Sequence, residues 1–312
     1  MNDRAELSVI IPLGERRDSV QELYEEYKRG VGGSGRSCEF IFVLDGEYPE
    51  ELEQLMALQR RGDRLKIIKL SKSFGEATAL SAGFDHATGD IILTLPAYYQ
   101  VEPSEIPKLI AELDNCDMAI SYRWPRAGSR FELMRRNLFH KILKSFTRAS
   151  FHDLGCGVRA FKRQIAQEVT IYGDQHRFLP VLANRVGFKV REIQVSQSPK
   201  DRFRGIYRPR EYLHRLLDIF TVFFLVRFTK KPLRFFGMIG AVTLAVGAVF
   251  LVWLIVERLF MGVPLAERPA LLLSSLLVVL GVQILALGLI GELIIFTHAR
   301  DLKEYTVDEI VG

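Results

Sequence analysis

The stretch KSFGEATALSAGFDHATGDIILTLPAYYQ, residues 72–100, decides the fold. It predicts a helix over Phe74 to Thr88, then a short apolar strand, Asp90 to Leu95, that stops at Pro96. The same alternation extends towards the N-terminus. LSVIIP (7–12), EFIFVLD (39–45) and LKIIKL (65–70) predict three more strands. Between them, Asp18 to Arg29 and Pro49 to about Arg61 predict helices, with Asp18 as the cap of the first. That rhythm implies a parallel sheet covered by helices on both faces. Ligands on such sheets bind beyond the carboxyl ends of the strands, here Pro12–Arg16, Asp45–Gly46, Lys72–Glu76 and Pro96–Gln100. Asp45 is placed to accept hydrogen bonds from a base or ribose, or else to make the turn before Gly46. Gly30 to Gly35 follows a helix, so it is a flexible loop and not a phosphate cradle.

The chain has 312 residues, 48% hydrophobic and 25% charged, with a net charge of +5. That apolar content excludes a disordered chain, and three cysteines (Cys38, Cys116, Cys156) with no CxxC spacing exclude a disulfide scaffold or zinc site. No nucleic-acid partner is implied. The apolar residues concentrate late. Phe235–Val256 and Pro269–Gly291 are uncharged and exceed the ~20 residues that span a bilayer core, which predicts two transmembrane helices. Arg227, Lys230, Lys231 and Arg234 precede them and Arg300 and Lys303 follow, so both termini are expected in the cytoplasm. Gly237, Ala241 and Ala245 form a small-residue ridge suited to close helix contact. The expected organisation is a cytosolic domain (1–208), an amphipathic juxtamembrane helix (209–232), the two spans (233–298) and a cytosolic tail (299–312) in the inner membrane.

In order, VIIP, VLDG, KSFGEATALSAGFDHATGD and LTLPAYYQVEPSEIP resemble the blocks of family 2 glycosyltransferases. SYRW (121–124), DLGCGVRAFKR (153–163), HRFLP (176–180), VGFKVREIQV (186–195) and KPLRFFG (231–237) narrow the resemblance to polyprenyl-phosphate sugar transferases. It implies a GT-A-type, Rossmann-like α/β nucleotide-sugar domain that hands a sugar to a dolichyl- or bactoprenyl-type lipid phosphate. It also suggests homo-oligomers. The expected reaction is one in-line displacement that inverts the anomeric carbon.

The resemblance also shows where this chain departs. The family carries Asp-x-Asp after the fourth strand to hold Mg²⁺ or Mn²⁺; here the stretch reads Pro96-Ala97-Tyr98-Tyr99-Gln100. The paired acids after the second strand are reduced to Leu44-Asp45, and the Asn-Glu-Glu region after the first reads Gly14-Glu15-Arg16-Arg17. No metal ligands are therefore assigned, and Mg²⁺ or Mn²⁺ is expected to be dispensable or bound in an unusual way. Preorganised arginines can neutralise a leaving diphosphate instead. The basic candidates are Arg123, Arg126, Arg130, Arg135 and Arg136, with Lys200, Arg202 and Arg204 as a second cluster. Arg123, Arg136 and Arg202 fall near the family's phosphate-binding positions, and Lys200 and Arg204 join them as phosphate-binding candidates.

The resemblance assigns donor binding to Pro12, Glu15, Asp45, Gly75, Tyr98 and Gln100, and catalysis to Asp153 with Arg123. Tyr98 and Tyr99 are candidates to stack on the donor base or to fill the place of the metal. A phosphate monoester is largely ionised at neutral pH, so the acceptor needs little help from a base. The alternative is a non-catalytic membrane relative that binds a lipid phosphate or a partner enzyme.

Overall fold

A computed structural model describes residues 5–125, 151–169, 171, 173–201, 232–262 and 268–298. The chain divides into two compact units, Met1–Val222 with Glu304–Gly312, and Phe223–Lys303.

The first unit is built on a seven-stranded sheet. Its strands are β1 (Leu7–Leu13), β2 (Cys38–Leu44), β3 (Leu65–Lys69), β4 (Ile91–Thr94), β5 (Met118–Arg123), β6 (Arg159–Lys162) and β7 (Val190–Val195). The order across the sheet is β3-β2-β1-β4-β6-β5-β7. Every residue of β1 and β4 is buried, as expected of unbroken apolar runs covered on both faces. β3 lies at the edge, where Lys66 and Lys69 blunt the unpaired side. Pairing of β1 with β4 ends at Ile10↔Thr94, before Pro12, which has no N–H to give to a ladder.

Helices α1 (Val20–Gly32), α2 (Pro49–Arg60) and α3 (Glu76–His86) connect the first four strands. α3 lies close on the sheet, because a Cβ at Gly83 would come within 2.4 Å of the Ile10 side chain. Short helices α4 (Ile106–Ala111), α5 (Arg163–Glu168) and α6 (Leu179–Val186) follow among the later strands.

The expected all-parallel sheet is corrected in one respect. β3, β2, β1 and β4 run parallel, but β6 runs antiparallel to both β4 and β5. Hydrophobic runs reveal strands but not their direction. The reversal matters for the site: the chain leaves the carboxyl end of β5 and re-enters β6 from that same end. Asp153 to Gly157 are thereby brought beside the carboxyl end of β4.

The second unit is a hairpin of α7 (Pro232–Met261) and α8 (Pro269–His298). Each helix is long and apolar enough to cross a membrane, and large side chains such as Phe250, Trp253, Leu272 and Leu293 are exposed on its surface. Contact between them repeats every seventh residue. Gly240, Gly247 and Leu254 are buried on α7, and Ser274, Gly281 and Gly288 on α8. A Cβ at Gly281 would meet the Leu244 backbone at 2.6 Å, and one at Gly247 would meet Val278 N at 2.7 Å. This corrects the expected ridge, since Ala241 and Ala245 are exposed. The juxtamembrane segment expected at 209–232 falls almost wholly outside the described residues.

Candidate active site

β1 and β4 are parallel neighbours in the sheet, from which the chain goes on to β2 on one side and past β6 to β5 on the other, so the loops beyond their carboxyl ends lie side by side where such sheets bind ligands. The loop after β4 is fixed from several directions. The hydroxyl of Tyr27, on the buried face of α1, lies 3.1 Å from the Pro96 carbonyl and 3.2 Å from that of Tyr98. Burial pushes the Tyr27 phenol well above its ordinary pKa, so it remains a donor. Asp18 N donates to Ala97 O at 2.8 Å, and the Asp18 carboxylate accepts from Tyr99 N at 2.9 Å. Asp18 is therefore a clip on this loop. It does not cap α1, whose N-cap residue is Ser19. Gln100 completes the frame: its oxygen accepts from Gly157 N at 2.7 Å and its amide donates to the Tyr98 hydroxyl at 2.8 Å.

Asp153 and Arg123 meet as a buried pair, Nε to Oδ2 at 2.7 Å and Nη2 to Oδ1 at 3.1 Å. The third arm of Arg123, Nη1, donates to Asp201 at 3.1 Å. Burial opposes the charge on Arg123, but the neighbouring Cys156 sulfur, Asp153 and Asp201 raise its pKa above the ordinary arginine value. Asp201 also accepts from Arg16 Nη2 at 2.9 Å and from the Gln197 amide at 2.9 Å. The Arg16 guanidinium lies 3.7 Å from the centroid of the Tyr98 ring. A continuous chain thus runs from Asp153 through Arg123, Asp201 and Arg16 to Tyr98 and Gln100. Cys156 sits beneath it; burial raises its thiol pKa, so the S–H is kept as a weak donor to Gln100 at 3.3 Å.

Arg159, in the same DLGCGVR block, is fully enclosed and donates to the carbonyls of Cys156, Leu154, His176 and Arg177. Burial pushes its pKa down to about 10, which leaves it charged at neutral pH. His176 is buried, with Nε2 3.2 Å from the Glu76 carboxylate at the start of α3. Burial drives the Glu76 pKa up, but His176, Arg177 and Arg159 outweigh it and hold the carboxyl below its ordinary value.

The remaining predicted residues divide. Both Asp45 oxygens are engaged by the loop before α3, accepting from Phe74 N at 2.7 Å, Gly75 N at 2.9 Å and Ser73 Oγ at 3.0 Å. Asp45 thereby fixes that loop, and Gly75 takes a φ of 96° that favours glycine. Pro12 is buried in β1, whereas Glu15 is exposed on the loop that follows. Lys200 is turned to the outside of α1, 2.6 Å from Glu26 and over the Tyr99 ring. Arg136, Arg202 and Arg204 lie outside the described residues.

His152, next to Asp153 in the chain, is exposed and bonded to Glu192. Sequence reasoning missed Asp201, Arg16 and Arg159 as parts of this network. The run of charged residues after β1 was a signal, but the partner of Arg16 lies 185 positions away.

The residues do not fit a hard divalent cation, which takes several oxygen ligands, usually carboxylates. Among the described residues no cluster of three metal-binding side chains exists. Beyond β4 the polar groups are a phenol bonded to Gln100 and an amide oxygen already accepting from Gly157. The arrangement can instead present guanidinium groups to an anion.

Comparison with known proteins bears on the family and the fold. The profile described as "Glycosyl transferase family 2" matches residues 8–170. The undecaprenyl-phosphate 4-deoxy-4-formamido-L-arabinose transferase of Edwardsiella ictaluri is 30% identical over 98% of this chain and 94% of its own length. That of Klebsiella pneumoniae is 29% identical over 98% and 93%. Glucosyl-3-phosphoglycerate synthase of Mycobacterium tuberculosis, solved with Mg²⁺ and UDP, shares the fold. It has a TM-score of 0.52 and 16% identity over 71% of this chain and 79% of that one. The chain belongs to glycosyl transferase family 2, among the polyprenyl-phosphate sugar transferases.

Proposed function

We propose that this protein moves a sugar from a nucleotide donor to a polyprenyl phosphate at the cytosolic face of the inner membrane, inverting the anomeric carbon and needing no divalent metal. The observation that carries the reading is the gathering of Arg123 and Arg16 on one buried aspartate, Asp201, beyond the carboxyl ends of β1, β4 and β5. That is where a GT-A-type sheet receives its ligand, and the likeness to undecaprenyl-phosphate transferases extends over nearly the whole chain, hairpin included.

In this reading Asp153 orients Arg123. Both of its oxygens accept from guanidinium N–H groups, so taking up a proton would discharge the partner of a buried cation. The acceptor phosphate attacks already ionised. Asp45 and Gly75 shape the nucleoside side of the crevice together with Pro12, Glu15 and Gln100. Arg136, Arg202, Arg204 and Lys200 meet the lipid phosphate and its anionic surroundings. Both chain termini face the cytoplasm.

The test is sugar transfer by the purified full chain in detergent, with undecaprenyl phosphate and labelled UDP- and GDP-sugars, in Mn²⁺ or EDTA. A lipid-linked product that survives EDTA is expected. Product formed only with Mn²⁺ would overturn the metal-free part. No product from any donor would favour a binding protein that has lost catalysis.

A further inference from the structure

Arg16 stands just beyond β1, and Tyr98 just beyond the adjacent strand β4, so the pair meets at the carboxyl ends of these two strands, where such sheets bind ligands. The guanidinium is held twice: its carbon is 3.7 Å from the Tyr98 centroid, and Nη2 is 2.9 Å from Asp201. Asp201 is only 2% exposed at its side chain, whereas that of Arg16 is 44% exposed. One end of the group is thus anchored in a buried carboxylate while the rest remains open to a ligand. Asp201 is the one hydrogen-bond partner of Arg16 among the described residues.

The platform under Arg16 is unusually well fixed for a loop. Tyr27, Asp18 and Gln100 make five hydrogen bonds to the Pro96–Tyr99 segment between them. Burial raises the Tyr98 phenol pKa, which keeps the ring neutral and its face attractive to a cation. An exposed ion pair by itself contributes little to stability, so folding alone gives weak reason for such an arrangement. A planar cation held in advance, with free N–H edges, is what binding a diphosphate requires.

We propose that Arg16 is the resident cation of the donor site: stacked on Tyr98 and anchored by Asp201, it neutralises the nucleotide diphosphate where carboxylates and a divalent metal would otherwise do so. This rests on the transferase reading for the identity of the ligand. The absence of carboxylates beyond β4 and the presence of Arg16 are then one exchange. A cation carried by the chain replaces one that the chain would have to hold.

Calorimetric titration of the detergent-solubilised full chain with UDP, GDP and uridine tests this apart from catalysis. Wild type is expected to bind one of the two diphosphates equally well in EDTA and in Mn²⁺, within about twofold. Arg16→Gln should weaken that binding by about tenfold to a hundredfold, the range of a charge-assisted contact, leave nucleoside binding unchanged, and lower the melting temperature by only a few degrees, because Asp201 keeps Arg123 and Gln197. Arg16→Lys, which keeps the charge but loses the planar stack, should fall between them. Tyr98→Leu should weaken the diphosphate in the same direction as Arg16→Gln.

Diphosphate binding that collapses in EDTA and returns with Mn²⁺ would overturn the assignment while leaving the transferase reading intact. Equal loss of nucleoside and diphosphate in Arg16→Gln, or no loss at all, would also overturn it. A wild-type chain that binds neither diphosphate under either condition would remove the assignment and the transferase reading together.

Discussion

Asp153→Asn separates a carboxylate that serves Arg123 from one that serves the substrate. Asp153 and Arg123 have side chains only 4% and 5% exposed, joined through Nε at 2.7 Å. Removing one partner of a buried pair costs about 3–5 kcal/mol, because the remaining charge stays in a poorly solvating interior. Arg123 retains Asp201 at 3.1 Å, so the low end, about 3 kcal/mol, is expected. For a domain of this size that lowers the melting temperature by roughly 6–12 °C. The assay is thermal unfolding of the full chain in detergent, for Asp153→Asn, Arg123→Met and the double variant. A coupling of about 2–3 kcal/mol between the sites is expected. If Asp153→Asn melts within about 2 °C of wild type while transfer is lost, or if the two effects simply add, Asp153 acts on the substrate and the positioning role is wrong.

Three other outcomes follow from contacts away from that pair. Burial drives the Glu39 carboxyl up, but Lys66, Ser8 and Thr88 hold it at about 2 against an ordinary 4.5. It should therefore contribute about 3 kcal/mol above pH 4.5, lost as pH falls towards 2. Urea unfolding should show wild type's advantage over Glu39→Gln shrinking across that window, and a constant gap would contradict the assignment. Tyr27→Phe leaves the Pro96 and Tyr98 carbonyls without their donor, so it should cost about 1–3 kcal/mol in denaturant unfolding and weaken nucleotide binding as well. Gly281→Val forces α7 and α8 apart at Leu244, at about 1–3 kcal/mol in thermal unfolding, whereas Ala245→Val on the exposed face should be neutral.

The strands were legible because β1, β2 and β4 are unbroken apolar runs, a pattern that survives without knowledge of neighbours. The direction of β6 was not, since RAFK carries the same signal whichever way it runs. Asp18 shows a second limit. A carboxylate before an amphipathic run is a good cap by local chemistry, but a stronger use was available in the loop at Tyr99, reached only after folding. The hairpin shows a third. Spacing of small residues pointed to Gly237, Ala241 and Ala245, while the closest contacts are at Gly240, against Gly281 and Leu285, and at Gly247, against Leu277 and Val278, positions set by the partner helix. Asp153 and Arg123 were found through their blocks, yet their pairing depends on chain reversal between β5 and β6.

Charge balance explains how so basic a crevice can fold before any ligand arrives. Arg16 and Arg123 would repel one another if they shared no counter-charge, and Arg123 is too enclosed to rely on water. Asp201 resolves this by accepting from both, while Asp153 takes the rest of Arg123. Arg16 and Arg123 are therefore matched by Asp201 and Asp153, two against two, while Arg159 is held by backbone carbonyls. The two arginines differ in what they have left to give: Arg123 is committed on three nitrogens, and Arg16 on one. An incoming diphosphate finds its free donors on Arg16, and Arg123 provides the fixed positive field behind them. A carboxylate-held metal would require the opposite balance, with acids in excess until the cation binds.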